Sequence, residues 1–404
     1  MSDPLVPCVA LIVCDSWGVG DAPDADAYGD GGADTLGNTS RAVGGLRVPN
    51  LEALGLGHLT NIEGVAPRAE AGVAFGRATE RSAGKDTTTG HWEMMGIRLE
   101  HPFPLYPNGF PASIIEPFEA AIGRRILGNV PASGTEIIAE LGNEHTKTGR
   151  PIVYTSGDSV FQIACHRGIV PLPTLYEWCR VARRLLQGEH SVGRVIARPF
   201  DGQPGAFVRT PERRDFSLPP PGPTILDALI DAGIPVHAVG KIRDIFSGQG
   251  ITEGRYSDSN DHGVQLTLNY LRRTTPSFIF ANLVDFDSKY GHRNDPSGYA
   301  AAIEAFDERL PEIVDALQGG VLFLTGDHGC DPTTPSTDHT RERTPLLAAG
   351  LTGGPHEIGT RESFGDLGVT IAALLGVKVE GHTGSSFADR IGFGEWSSSR
   401  VFES

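Results

Sequence analysis

Val321-Leu322-Phe323-Leu324-Thr325-Gly326-Asp327-His328-Gly329 joins five residues suited to a buried strand to an acid and an imidazole. An apolar run this short, ended by glycine, reads as a strand of a sheet covered on both faces. Two further runs end the same way: Cys8–Cys14 leads into Asp15, and Phe278–Val284 leads into Asp285-Phe286-Asp287. In open α/β sheets ligands gather at the carboxyl ends of strands, so three acidic endings predict one shared site.

Outward from these runs, short apolar stretches alternate with amphipathic ones. This predicts an α/β fold with a mainly parallel sheet flanked by helices. Further core strands are expected at Gly72–Ala78, Val236–Val239 and Pro345–Ala348, and helices at Thr224–Ala232, Tyr299–Leu317 and Asp366–Leu375. Pro311 is expected to kink or break the second of these helices. The middle of the chain mixes helices (Ser113–Arg125, Thr135–Leu141, Leu175–Leu186) with strands (Pro151–Thr155, Val160–Cys165, Arg194–Arg198). The Pro-rich stretches Pro102–Pro111 and Pro219–Pro223 punctuate its two ends. Acidic and histidine motifs lie on both sides. Residues 1–101 and 222–404 are therefore expected to form a discontinuous core, and residues 102–221 an inserted α+β cap.

The chain has 404 residues and a formal net charge of −16, which argues against non-specific binding to nucleic acid or to an anionic membrane surface. Its five cysteines are scattered without a CxxC pair, giving neither a disulfide framework nor a zinc ribbon. The first apolar run stops at Asp15 without a basic leader, so it reads as a strand, and a cytoplasmic protein is expected.

Asp15, Asp287, His292, Asp327, His328 and His339 exceed the usual donor set of one ion. Carboxylate and imidazole donors without thiolate suit Mn²⁺, Mg²⁺ or Zn²⁺. Two such ions ~3.5–4 Å apart can clamp the attacking and leaving oxygens of a phosphoryl transfer. Gly84-Lys85-Asp86-Thr87-Thr88-Thr89-Gly90-His91-Trp92-Glu93 lacks P-loop spacing, because Asp86 follows Lys85. Beside a metal pair its hydroxyls are candidate nucleophiles, and the residues alone do not choose among the three threonines. The acidic stretch Gly18–Thr35 fails as a calcium loop, since Thr35 stands where a bidentate Glu is needed. Ser156, Asp158, Arg194, Arg198, Arg209 and Lys241 form a polar and cationic set suited to phosphate.

Taken together, Val13–Gly20, Gly84–Glu93, Val284–His292 and Thr325–Glu342 resemble the phosphopentomutase family of the alkaline phosphatase superfamily. Tyr154–Cys165, Gly193–Phe200 and Gly240–Phe246 extend the resemblance over nearly the whole chain. Gly157 and Gly326 depart from it, standing where alanine is commoner. The resemblance implies a core like that of alkaline phosphatase with an inserted cap, and two Mn²⁺ ions. One ion would be held by Asp287, His292 and His339, the other by Asp15, Asp327, His328 and the side chain of Thr87. Thr87 would be the phosphorylated nucleophile, and Ser156, Asp158, Arg198, Arg209 and Lys241 would bind the sugar phosphate. The implied reaction interconverts ribose 1-phosphate and ribose 5-phosphate, and their deoxy counterparts, through a bisphosphate. A sugar bisphosphate activator and a monomer are further expectations. A metal-dependent phosphatase or phosphoglycerate mutase, and a non-catalytic phosphosugar binder, are the competing readings.

Overall fold

The computed structural model describes residues 5–273 and 276–393. In chain order its strands are β1 (Cys8–Cys14), β2 (Val73–Ala78), β3 (Leu127–Pro131), β4 (Ile152–Thr155) and β5 (Val160–His166). There follow β6 (Arg194–Gln203), β7 (Ala206–Arg209), β8 (Arg214–Ser217), β9 (Val236–Val239) and β10 (Glu253–Arg255). The last four are β11 (Ser277–Leu283), β12 (Val321–Thr325), β13 (Thr344–Ala349) and β14 (His356–Arg361). The chain divides into two compact units, one of residues up to His101 and from Pro220 onward, the other Pro102–Pro219.

The first unit is built on an eight-stranded sheet in the order β10-β9-β11-β1-β12-β13-β2-β14. Every residue of β1 is buried, as expected for a strand covered on both faces. β1 pairs in parallel with β11 on one side and β12 on the other. Cys14 lies opposite Leu283, and Val13 opposite Thr325. This register brings three acidic strand endings, the first of them more than 250 residues before the other two, to one edge of the sheet. β13 runs antiparallel to both β12 and β2, so the sheet is mixed at that side. The sequence did not announce β10 or β14. β14 carries His356, Glu357, Thr360 and Arg361 and lies at the edge of the sheet, where no buried apolar face is required.

The Pro296–Ala316 helix runs on through Pro311, against the expected break. Proline offers no N–H to the carbonyl one turn earlier, here that of Asp307. Asn50 supplies the missing donor: its Nδ2 donates to the Asp307 carbonyl at 3.0 Å, while the Asp307 carboxylate accepts the Leu51 amide at 2.7 Å. The orphaned acceptor is thus satisfied from a distant segment, which no local reading of the helix can reveal.

The second unit holds a six-stranded sheet, β3-β4-β5-β6-β7, with β8 also paired to β6. One face packs against the Ala112–Ile122 and Leu172–Leu185 helices through Phe118, Phe161, Leu175 and Cys179. The Gly134–Thr148 helix covers the other through Ile137 and Ile138, and runs seven residues beyond the expected Leu141. All five cysteines are buried and free. Among the described residues no helix is long and apolar enough to cross a membrane.

Candidate metal centre

At the carboxyl edge of β1, β11 and β12, the first unit gathers Asp15, Asp287, Asp327, His328 and His339, all buried, with His292 half-buried beside them. Asp15 follows β1 directly. Asp287 sits in a π-helical turn, Phe286–Tyr290, a local widening often found where a side chain must be re-aimed. After β12 the chain makes a short excursion, pinched by paired backbone bonds between Gly329 and Thr340. The pinch returns His339 to the ring of His328, with centroids 3.8 Å apart.

Two glycines make the close approach possible. A Cβ on Gly326 would meet the Trp17 carbonyl oxygen at 2.2 Å, so this chain has no room there for the alanine commoner in the family it resembles. A Cβ on Gly90 would meet the Asp327 carbonyl oxygen at the same distance. Gly90 therefore lets the Thr87–Met94 helix pack its first turn against Asp327. Ser16 adopts a left-handed φ of 74°, which turns its amide to donate to Asp327 Oδ1 at 3.1 Å. Strain of this kind persists only where surrounding contacts enforce it, here the Tyr299 hydroxyl donating to the Ser16 carbonyl.

The donor atoms face one another. His292 Nε2 lies 3.3 Å from Asp287 Oδ2, and His339 Nε2 lies 3.4 Å from Asp287 Oδ1. His328 Nε2 lies 3.5 Å from Asp15 Oδ1 and 3.3 Å from Asp327 Oδ2. His292 and His328 each direct Nδ1 at a backbone carbonyl, Thr337 at 2.7 Å and Gly329 at 3.0 Å, which fixes that nitrogen as a donor. In the neutral ring Nε2 is then an acceptor aimed at carboxylate acceptors. Such an arrangement is stable only with a positive charge between the atoms. Asp15 Oδ1, Asp287 Oδ1 and Asp327 Oδ2 are buried and accept no hydrogen bond among the described residues. The residues therefore fit divalent cations, and backbone carbonyls orient two of the imidazoles as is usual for metal-bound histidine. Ligand atoms cluster in two groups, Asp287 with His292 and His339, and Asp15 with Asp287 and His328. Asp287 belongs to both.

The electrostatics agree. Burial, then the neighbouring Asp327, raises the Asp15 carboxyl above its ordinary value. Burial would do the same to Asp287, but His292 and His339 hold it well below the carboxylate range. Burial also opposes charge on His292, yet Asp287 pushes the imidazole up to about 12. In this pair the buried carboxylate is offset by neighbouring imidazoles, a role that a bound cation would also fill.

The three threonines occupy different environments. Thr87 Oγ1 lies 3.2 Å from His328 Nε2, the Thr89 hydroxyl donates to Asp86, and Thr88 gives its amide to Asp86 at 3.0 Å. Asp86 is the cap of the helix that Thr87 begins. Lys241 also reaches the centre, its Nζ 3.3 Å from Asp15 Oδ2. Ser156, Asp158, Arg198 and Arg209 belong to the second unit, Ser156 and Asp158 in the β4–β5 turn, Arg198 on β6 and Arg209 ending β7. Arg198 donates from Nε to Gln162 Oε1 at 3.0 Å, and burial lowers its guanidinium to about 10.

Two residues of the centre escaped the sequence reading. Asn282 on β11 donates to Asp15 Oδ2 at 3.1 Å. His91 Nδ1 lies 2.8 Å from the Thr87 carbonyl and 3.2 Å from Asp327 Oδ2. Asn282 had a signal, being the one amide within the run Ser277–Leu283. His91 lies one helical turn from Thr87, but that spacing means something only once the helix is known.

The pattern of the metalloenzyme superfamily matches residues 8–379. A phosphopentomutase of Kosmotoga olearia is 57% identical over 384 residues, covering 94% of this chain and 98% of its own. A phosphopentomutase of Caldanaerobacter subterraneus is 56% identical over 382 residues, covering 94% and 96%. Among solved structures, a phosphoglycerate mutase of Leishmania mexicana is 13% identical with a TM-score of 0.46, over 95% of this chain and 98% of its own.

Proposed function

Because the chain belongs to the phosphopentomutase family of the metalloenzyme superfamily, we propose that it interconverts ribose 1-phosphate and ribose 5-phosphate, and their 2-deoxyribose counterparts, through phospho-Thr87. The observation that supports this reading is the Thr87 hydroxyl beside His328, at the rim of a buried carboxylate and imidazole cluster that requires cations. Phospho-Thr87 gives its phosphoryl group to the free hydroxyl of the incoming monophosphate. The Thr87 O–P bond breaks, a sugar O–P bond forms, and the product is a pentose bisphosphate. After reorientation Thr87 accepts the other phosphoryl group, which restores the phosphoenzyme and releases the isomeric monophosphate.

The chain's own groups are suited to hold this arrangement. The Asp86 cap fixes the first turn, and the N-terminal end of the helix dipole favours the anion carried by Thr87. His91 anchors the Thr87 carbonyl. Asn282 and Lys241 hold Asp15 from the side of β11 and β9. Asp287, His292 and His339 would hold one divalent ion, and Asp15, Asp327, His328 and Thr87 a second. Mn²⁺ is the assignment, with Mg²⁺ or Zn²⁺ compatible with the same donors. When bound, the ions supply positive charge that offsets charge on the transferring group and on the Thr87 oxygen. In the second unit Ser156, Asp158, Arg198 and Arg209 are assigned to the sugar phosphate, for which the guanidinium fork is the natural partner.

Thr87→Ala tests the proposal. The variant should bind metal, lose mutase turnover and take up no labelled phosphate from ribose 1,5-bisphosphate, whereas Thr88→Ala should still be labelled. Turnover surviving in Thr87→Ala would refute the assignment. A parallel assay with 3-phosphoglycerate separates a pentomutase from a phosphoglycerate mutase, and phosphate release without isomerisation would indicate a phosphatase.

A further inference from the structure

The acidic stretch Gly18–Thr35, too irregular for a calcium loop, has no part in the proposed chemistry. In the fold two of its carboxylates, Asp24 and Asp30, close on Arg341, whose side chain is 2% exposed. All five N–H donors of the guanidinium are used. Nε and Nη2 donate to the two Asp24 oxygens at 3.1 and 3.0 Å. Nη1 donates to Glu80 Oε2 and to the Gly84 carbonyl, both at 2.6 Å, and Nη2 also donates to the Glu80 carbonyl at 2.8 Å. The Tyr28 ring lies beneath the cation, 5.0 Å from its centre. The backbone joins the same knot: the Arg341 amide donates to Asp30 Oδ2 at 2.8 Å, and Asp30 also takes the Lys85 ammonium at 3.0 Å.

Three segments meet at this side chain. Gly84 lies three residues before Thr87, Arg341 lies two residues after His339, and Asp24 and Asp30 belong to the acidic loop. Glu93 completes the hold on the loop that leads to Thr87, accepting the Arg81 amide at 2.9 Å and the Ser82 amide. We infer that Arg341 is a positioning residue for phosphoryl transfer: its guanidinium, clamped by Asp24, Glu80 and the Gly84 carbonyl, fixes Thr87 relative to the His339 segment. The inference rests on the reading of Thr87 as nucleophile. A buried arginine serving five acceptors in a plane has no substitute in lysine, whose ammonium is a point charge with three donors.

The test compares Arg341→Lys and Asp24→Asn with the metal-loaded wild-type protein. In Arg341→Lys, kcat should fall about 100-fold, the scale of a small misplacement of reacting groups. The KM for ribose 5-phosphate should stay within about twofold, since the ground-state contacts are untouched. Amide exchange over Gly84–Thr87 should quicken while exchange in β1 and β11 does not change. Asp24→Asn, at a half-exposed position that spares the fold, should lower kcat about tenfold with the same pattern. A folded Arg341→Lys protein with wild-type kcat and wild-type exchange overturns the inference. If Arg341→Lys does not fold, Asp24→Asn decides alone, and wild-type values there overturn it equally. Labelled phosphate entering Thr87→Ala would remove the nucleophile reading. Loss of label in Thr87→Ala, with normal turnover in both clamp variants, would remove only the clamp.

Discussion

The two units differ in how they treat carboxylates. In the first, Asp15, Asp287, Asp327 and His328 lie at most 3% exposed, and three of their carboxylate oxygens lack hydrogen bonds among the described residues. In the second, His145 is fully buried and both its nitrogens are satisfied: Nδ1 donates to the Arg150 carbonyl at 2.6 Å, and Nε2 accepts the His166 amide at 2.9 Å. Among the described residues no carboxylate of the second unit is fully buried, and several pair with arginines, as in Arg194–Asp215 and Arg150–Glu144. A fold that only needs stability satisfies or exposes its charges. Unsatisfied buried acids persist where something else, here a cation, completes them.

The strongest way to break this contrast is Asp287→Asn, which removes charge from the residue common to both ligand groups. Turnover should fall about 10³-fold or more, and elemental analysis should find the metal content clearly reduced. Loss of one ion with the other retained would show that Asp287 is not shared, and wild-type metal content would show that it is not a ligand. Next, chelation should destabilise the first unit. With free cation at about 100 times its Kd, bound metal adds roughly 3 kcal/mol to unfolding. Hydrogen exchange before and after chelator should change around β1, β11 and β12 and leave β4–β6 untouched. Uniform change across both units would contradict the contrast.

Asn282→Leu tests the orientation of Asp15 without touching a ligand. Titration of the apoprotein with Mn²⁺ should give an affinity weaker by about 10–100-fold, as for other outer partners of metal ligands. An unchanged affinity would reduce Asn282 to a packing residue. The smallest effect belongs to the second unit. Burial lowers the His145 imidazole below its ordinary value, and protonating Nε2 would displace the His166 amide. The resulting stability is present above the unfolded-state value near 6.5 and is lost as pH falls through the lower folded value. Unfolding at pH 7.5 and 5.5 should differ by about 1 kcal/mol through this group. His145→Leu should flatten that dependence, and an equal slope in the variant would sink the assignment.

Asp15, Asp287, Asp327 and His328 were legible as candidate site residues because each follows an apolar run, and a strand ending in a carboxylate needs no tertiary information to notice. His292 and His339 were legible through their spacing from those endings. Asn282 and His91 were not assigned, because a lone amide or imidazole gains meaning only from what it faces. The uninterrupted helix at Pro311 was misread for a related reason, since its rescue by Asn50 comes from a segment far away in the chain.

The sequence by itself therefore determined the alternating α/β plan, the acidic ends of three strands and the family. These rest on local pattern and on motifs that stay contiguous. Only the tertiary structure shows that Asp287 lies within reach of both candidate ligand groups, that Thr87 and not Thr89 faces His328, and that the acidic loop closes on Arg341. Each depends on β1 lying between β11 and β12 in a set register. Sheet pairing joins residues hundreds of positions apart, so the meeting of their side chains is written in the fold and not along the chain.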